Sequence, residues 1–187
     1  RTLYLDGLDL HGTWRVRPGV GKMDGRVAYI ALDDQDQFHR YWRIDDFNLS
    51  DGGKLLMEDG SAITANFLGA GATGRSKIEL VDWDGDGVMD LVAATPKHHS
   101  IPNPEKGLPR ALGMPGTSVL FLKNTGTDRE PRFRFPVALR HKGLPIHLGH
   151  HEIGASVGPL GPGNRSNVVV SRENGWLYFF QRENIEP

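Results

Sequence analysis

Glycine and proline interrupt this chain so often that long helices have little room. Twenty-four glycines and 12 prolines are scattered over 187 residues rather than gathered in one segment. Glycine adopts backbone angles that other residues avoid, and proline removes a backbone donor, so both mark turns. The runs between them are short and rich in β-branched and aromatic residues. The expected fold class is therefore all-β, with many short strands and many loops. A hydrophobic content of 38% is enough to build a packed core.

Three stretches share one layout: an apolar strand, a turn rich in Gly or Asp, and a second strand. The first is Val27 to Leu32, a turn at Asp33 to Asp36, then Phe38 to Ile44. The second is Ser76 to Val81, an Asp/Gly loop, then Asp90 to Ala94, resuming as Ser118 to Asn124 after an insertion. The third is Asn167 to Ser171, a turn at Glu173 to Gly175, then Trp176 to Gln181. Paired strands that recur in this way favour a propeller over a sandwich. The units are expected at about 13–57, 62–140 and 146–187. Their spacing exceeds the ~40–50 residues of a plain blade. Asp45 to Arg75 and the proline-bearing Pro96 to Gly116 are read as the insertions responsible.

Charge and composition exclude several classes. Lysine and arginine total 22 against 23 acids, a net charge of −1, so no general field draws the chain to nucleic acid or anionic lipid. No apolar run approaches the ~20 residues of a membrane span, so membrane insertion is not expected. The absence of cysteine excludes disulfides, thiolate metal sites and a cysteine nucleophile. The opening Arg1-Thr2-Leu3-Tyr4 has neither the basic nor the apolar region of a secretory signal.

The sharpest motif is Asp82-Trp83-Asp84-Gly85-Asp86-Gly87-Val88-Met89-Asp90. Acids stand at positions 1, 3, 5 and 9 of the loop and glycine at position 6. A hard cation such as Ca²⁺ takes six to eight oxygens, and alternating carboxylates on a tight turn can point inward together. Asp82, Asp84, Asp86, the Val88 carbonyl and Asp90 are the expected ligands. Without a cation, four aspartates this close repel one another. An EF-hand is disfavoured because position 12 is Ala93 and both flanks read as strands.

The loop with its exit, Asp82 to Val92, resembles the calcium-binding motif of FG-GAP/VCBS repeat β-propellers. Leu120 to Asp128 followed by Pro131-Arg132-Phe133 is similar to the outer half of the same repeat. The first and third units lack the acid series, with Gly21 to Arg26 and Gly158 to Asn164 in its place. The resemblance implies one calcium site and two units that keep the fold without the ion. It also implies part of a larger ring of about three to four blades here, with further blades from the rest of the protein or another chain. Thr2 to Leu5 is expected to supply the outermost strand of the last unit. An extracellular or periplasmic location follows from the resemblance alone.

In such a propeller, the insertion 96–116 and the segment before the third unit share the face opposite the calcium loop. They carry Lys97, His98, His99 and Arg110, and His147, His150 and His151, with Arg172, Glu173 and Asn174 nearby. Three readings stand. His98, His99, His150, His151 and Arg172 can serve β-elimination on an acidic polysaccharide, the cations acidifying the proton beside a uronate carboxylate and a histidine or tyrosine removing it. His147-x-x-His150-His151 can offer imidazoles to zinc. Alternatively, the histidines only hold the loops in place. Trp14, Trp42 and Trp176 are read as packing between blades, with stacking on sugar rings as the alternative, Trp83 as turned away from the ion, and Tyr41 as a site residue only if its strand borders a pocket. Two functions are thus expected: a polysaccharide lyase, or a non-catalytic propeller module binding glycan or an extracellular protein.

Overall fold

The computed structural model describes residues 3–10, 17–64, 76–95, 117–148, 153–161, 166–172 and 175–187. Their strands are β1 (Tyr4–Leu5), β2 (Leu8–Asp9), β3 (Gly19–Met23), β4 (Arg26–Leu32), β5 (Phe38–Arg43), β6 (Asn48–Lys54) and β7 (Leu56–Met57). There follow β8 (Lys77–Val81), β9 (Asp90–Ala94), β10 (Val119–Leu122), β11 (Arg132–Phe133), β12 (Val137–Ala138), β13 (Arg140–His141) and β14 (Leu144–Pro145). The last are β15 (Gly154–Gly158), β16 (Asn167–Ser171), β17 (Leu177–Phe180) and β18 (Ile185–Glu186). Among the described residues there is no α-helix, only a 3-10 turn at Arg182–Asn184. The all-β expectation holds.

The three paired stretches each become an antiparallel meander, and among the described residues no sheet closes on itself. The first sheet has the order β2-β1-β6-β5-β4-β3, the second β12-β10-β9-β8 and the third β15-β16-β17. In β4 the alternation of the sequence sets the faces, with Ala28, Ile30 and Leu32 fully buried. In β9 and β10 every residue is buried, because both faces of the second sheet are covered. Leu91, Ala93, Leu120 and Leu122 pack with the first sheet, and Val92, Ala94, Val119 and Phe121 with the third. Continuous apolar runs are what such doubly covered strands require. Each buried Leu or Val contributes about 1.5–3 kcal/mol through removal from water.

The leading strands of the three sheets lie beside one another, β3 and β15 both against β8. Glycine permits the closest approach. A Cβ on Gly19 would stand 2.8 Å from Leu80 Cδ1, and one on Gly21 3.1 Å from Leu80 Cβ. Arg17, just before β3, donates to Glu79 of β8 and, at 2.9 Å, to the Ala155 carbonyl of β15. One side chain thus ties all three leading strands together.

The chain departs from four sequence expectations. Tyr4–Leu5 does not close the last unit; it pairs parallel to β6 in the first sheet, with Tyr4 N–H donating to the Phe47 carbonyl at 2.8 Å. Leu3 and Leu10 there line an apolar hollow with Tyr29, Tyr41 and Leu49, which fixes the hairpin on that face. Asp45 to Arg75 is not a plain insertion, since it supplies β6, the fourth strand of the meander. Gly52-Gly53 disguises that strand as a turn, yet a Cβ on Gly52 would meet the Arg40 carbonyl at 2.8 Å. Trp42 is buried as expected, but Trp176 is 66% exposed rather than packed. Trp14 lies outside the described residues. Pro131-Arg132-Phe133 also serves differently: β11 pairs parallel to β7, and the fourth strand of the second sheet is β12.

Candidate metal centre

Strands β8 and β9 pair antiparallel up to Val81 and Asp90, so residues 82–89 form the bend of a hairpin within one sheet. This is the hairpin expected in place of an EF-hand. The bend is shaped by its own carboxylates. Asp82 accepts the N–H of Gly85 at 2.8 Å on Oδ1 and that of Gly87 at 3.1 Å on Oδ2. Asp86 Oδ1 accepts the Val88 N–H at 2.9 Å. Gly85 and Gly87 have φ of 80° and 85°, in the left-handed region where a side chain is strained.

This folding gathers three of the expected ligands. One carboxylate oxygen from each of Asp82, Asp84 and Asp86 lies within 4.8 Å of the other two. Oxygens bound to a common Ca²⁺ at about 2.3–2.6 Å stand no more than about 5 Å apart, so the set fits such an ion. Asp84 and Asp86 are exposed and Asp82 half-buried, which leaves the cluster open to solvent. The cluster can therefore hold a metal ion.

A cation of the chain itself already faces these acids. Lys123, one residue beyond β10, donates its ammonium to Asp84 Oδ2 and stands 3.4 Å from Asp86 Oδ2. The lysine holds the Asp84 carboxyl below the usual carboxylate range, and Asp84 in turn holds the ammonium above its ordinary value. Neither Lys123 nor its role is evident in the acid motif. The signal available in sequence was the charged residue at the end of an otherwise apolar strand.

Asp90 is used differently from its three neighbours. It is fully buried, and its two oxygens accept the N–H of Trp83 at 3.2 Å and of Asn124 at 2.7 Å. Burial pushes its carboxyl up to about 6, against the pull of those two N–H groups. Asn124 returns the contact, donating Nδ2 to the Met89 carbonyl at 3.2 Å while its Oδ1 accepts from Gly126 and Arg132. Asp128 accepts the Met89 N–H at 2.8 Å on one oxygen and the Asp24 N–H at 3.2 Å on the other. Val88 is half-buried, with its N–H committed to Asp86.

Trp83 turns into the core, as expected, tilted against Phe121 with ring centroids 5.7 Å apart. The Arg182 guanidinium lies 4.1 Å from the Trp83 ring centroid and donates to the Trp83 carbonyl at 3.2 Å. A cleft of about 470 Å³ opens here, with Asp82, Trp83 and Asp84 on one wall and Ser166, Arg182 and Glu183 on the other.

His98, His99, His150 and His151 lie outside the described residues, as do Lys97, Arg110, Glu173 and Asn174. Arg172 is described. It is half-buried at the bend after β16, its N–H donating to the Trp176 carbonyl and its own carbonyl accepting from Gly175, both at 2.9 Å. The residues flanking the two histidine segments do meet. Leu148 N–H donates to the Thr117 carbonyl at 3.2 Å, and Ser118 Oγ stands 3.0 Å from His147 Nδ1. Thr95 Oγ1 accepts the Ser118 N–H at 2.9 Å. Tyr41 borders the apolar hollow of the first sheet, and burial beside Asp33 and Asp51 pushes its phenol up to about 12. Comparisons with family models, curated proteins and solved structures gave no match to this chain.

Proposed function

We propose that this chain is a calcium-stabilised segment of a β-propeller belonging to a secreted, carbohydrate-active protein. The observation that carries the reading is the hairpin bend of the second sheet, where three carboxylate oxygens converge within 4.8 Å. Oxygen-only donors on a glycine-shaped turn suit Ca²⁺, which tolerates irregular geometry better than Mg²⁺ does. Asp82, Asp84 and Asp86 would hold the ion, whose charge would offset the repulsion among them. The propeller reading is supported by three meanders whose leading strands lie together, tied by Arg17.

Further blades are part of the proposal. The β1–β2 hairpin extends the edge of the first sheet beyond β6, whereas the third sheet leaves Leu177, Phe179 and Trp176 between 51% and 68% exposed. A continuing sheet from the rest of the protein or from another chain would cover that face.

The end of the sheets opposite the metal bend is the proposed ligand face. Thr95, Thr117, Ser118, His147 and Leu148 bring together the feet of the segments that carry His98, His99, His150 and His151. An acidic polysaccharide is the proposed substrate, cleaved by β-elimination: an imidazole takes the proton beside the uronate carboxylate, a C=C bond forms, and the glycosidic oxygen leaves with a proton. The second reading, a non-catalytic module for glycan or extracellular protein, is favoured by the exposed apolar face of β17. Incubation with a panel of uronate-containing polysaccharides separates the two. Ultraviolet absorbance from the unsaturated product is the result expected of a lyase. No rise with any member, together with retention on an immobilised glycan, establishes the binding module instead.

A further inference from the structure

Lys123 occupies two of the carboxylates that a metal ion would use. Its ammonium bonds Asp84 Oδ2 and lies 3.4 Å from Asp86 Oδ2, two of the three acids whose oxygens converge. Two cations cannot share this cluster cheaply. At about 4 Å apart a divalent ion and an ammonium repel by roughly 2 kcal/mol even in bulk water, and by more at a partly desolvated protein surface. The lysine stem is flexible and its ammonium is readily rehydrated, so it can leave without disturbing the strand that carries it. Leu122, the preceding residue, is fully buried, which anchors the stem next to the bend in either state.

From this geometry we infer that Lys123 is a tethered competitor of the metal ion, seated on Asp84 and Asp86 when the ion is absent and released to solvent when it binds. The inference rests on the metal reading proposed above and adds a consequence to it. The lysine lowers the repulsion among the acids of the ion-free bend, so the hairpin stays folded before the cation arrives. It also sets how much cation is needed, because the ion must displace the ammonium. Affinity is thereby weakened by the factor that the lysine contacts represent.

The test uses the full chain and its Lys123→Met variant, each titrated with Ca²⁺ by calorimetry. Removing an exposed ion pair and one repelling charge should tighten Ca²⁺ binding on the order of three- to tenfold. Acylation of the Lys123 amine in the unaltered chain, read by mass spectrometry, should speed up when Ca²⁺ is added. Equal Ca²⁺ affinity in both proteins, with acylation indifferent to Ca²⁺, overturns the inference and leaves the metal site standing. No Ca²⁺ binding by either protein overturns both. A Lys123→Arg variant that binds close to the unaltered chain would support displacement of a positive charge over a loss of packing.

Discussion

Two hairpin bends stand side by side in this protein and reverse the chain by different means. Between β3 and β4 the reversal takes two residues, Asp24 and Gly25, with φ of 48° and 71°. Both angles are left-handed, the geometry that matches the twist of paired strands, so backbone chemistry alone closes this bend. Between β8 and β9 the reversal takes residues 82–89 and is held open by aspartate oxygens accepting backbone N–H groups. Asp128 links the two, accepting one N–H from each. The short bend is complete in itself. The long one concentrates negative charge that something positive must balance, and there Lys123 or a metal ion enters.

The largest effect that would break this contrast is expected from Asp90→Ala. It removes a fully buried carboxylate and leaves the Trp83 and Asn124 N–H groups unpaired, at a cost of about 3–5 kcal/mol in urea unfolding. A loss below 1 kcal/mol would mean that Asp90 does not organise the long bend. The same residue predicts a pH dependence in chelator. Its folded carboxyl lies near 6, above the ordinary 3.8, so the folded state binds the extra proton between these values. The ion-free protein should therefore gain stability, on the order of 2 kcal/mol, as pH falls from 7 toward 4.5. Glu79, also raised by burial, acts in the same direction, and Asp90→Asn should remove most of the gain. A flat profile in the unaltered chain would contradict the buried, strained ionisation of Asp90.

Asp128→Ala should cost less, about 1–2 kcal/mol, since its partners lie nearer solvent. Amide exchange should quicken at both Met89 and Asp24; quickening at one alone would show that the bends are not coupled. The smallest effect is expected from Gly25→Ala. A Cβ there meets nothing within 4 Å, so only the left-handed backbone strain of about 1 kcal/mol remains. That cost should be the same with and without Ca²⁺. A Ca²⁺-dependent cost would show that the short bend senses the metal too.

How much of this was legible in the sequence follows from how local each signal is. The β4, β5, β8, β9 and β10 strands were readable because alternation or continuous apolar runs report burial directly. The β6 strand was not, because Gly52 is there for its closeness to Arg40, a contact set by a distant strand, and reads locally as a turn. The N-terminal strand was misplaced because Tyr4–Leu5 is short and its partner is chosen by the apolar hollow under Leu3 and Leu10. In the metal centre, Asp82, Asp84 and Asp86 were legible from spacing alone. The separate use of Asp90 was hidden, because its partner Asn124 comes from another strand. Lys123 escaped for the same reason. Of the expected catalytic set, Arg172 is described but engaged in its own turn through backbone bonds.

Thermal melting during a Ca²⁺ titration decides whether Asp82, Asp84 and Asp86 hold a divalent cation. At a hundredfold excess over the dissociation constant, binding adds about 2.7 kcal/mol, so the unaltered chain should melt roughly 5–10 °C higher, in a saturable manner reversed by chelator. Asp86→Ala should lose most of that rise. Melting unchanged by Ca²⁺, or an equal rise in both proteins, would mean that these three aspartates do not hold the ion.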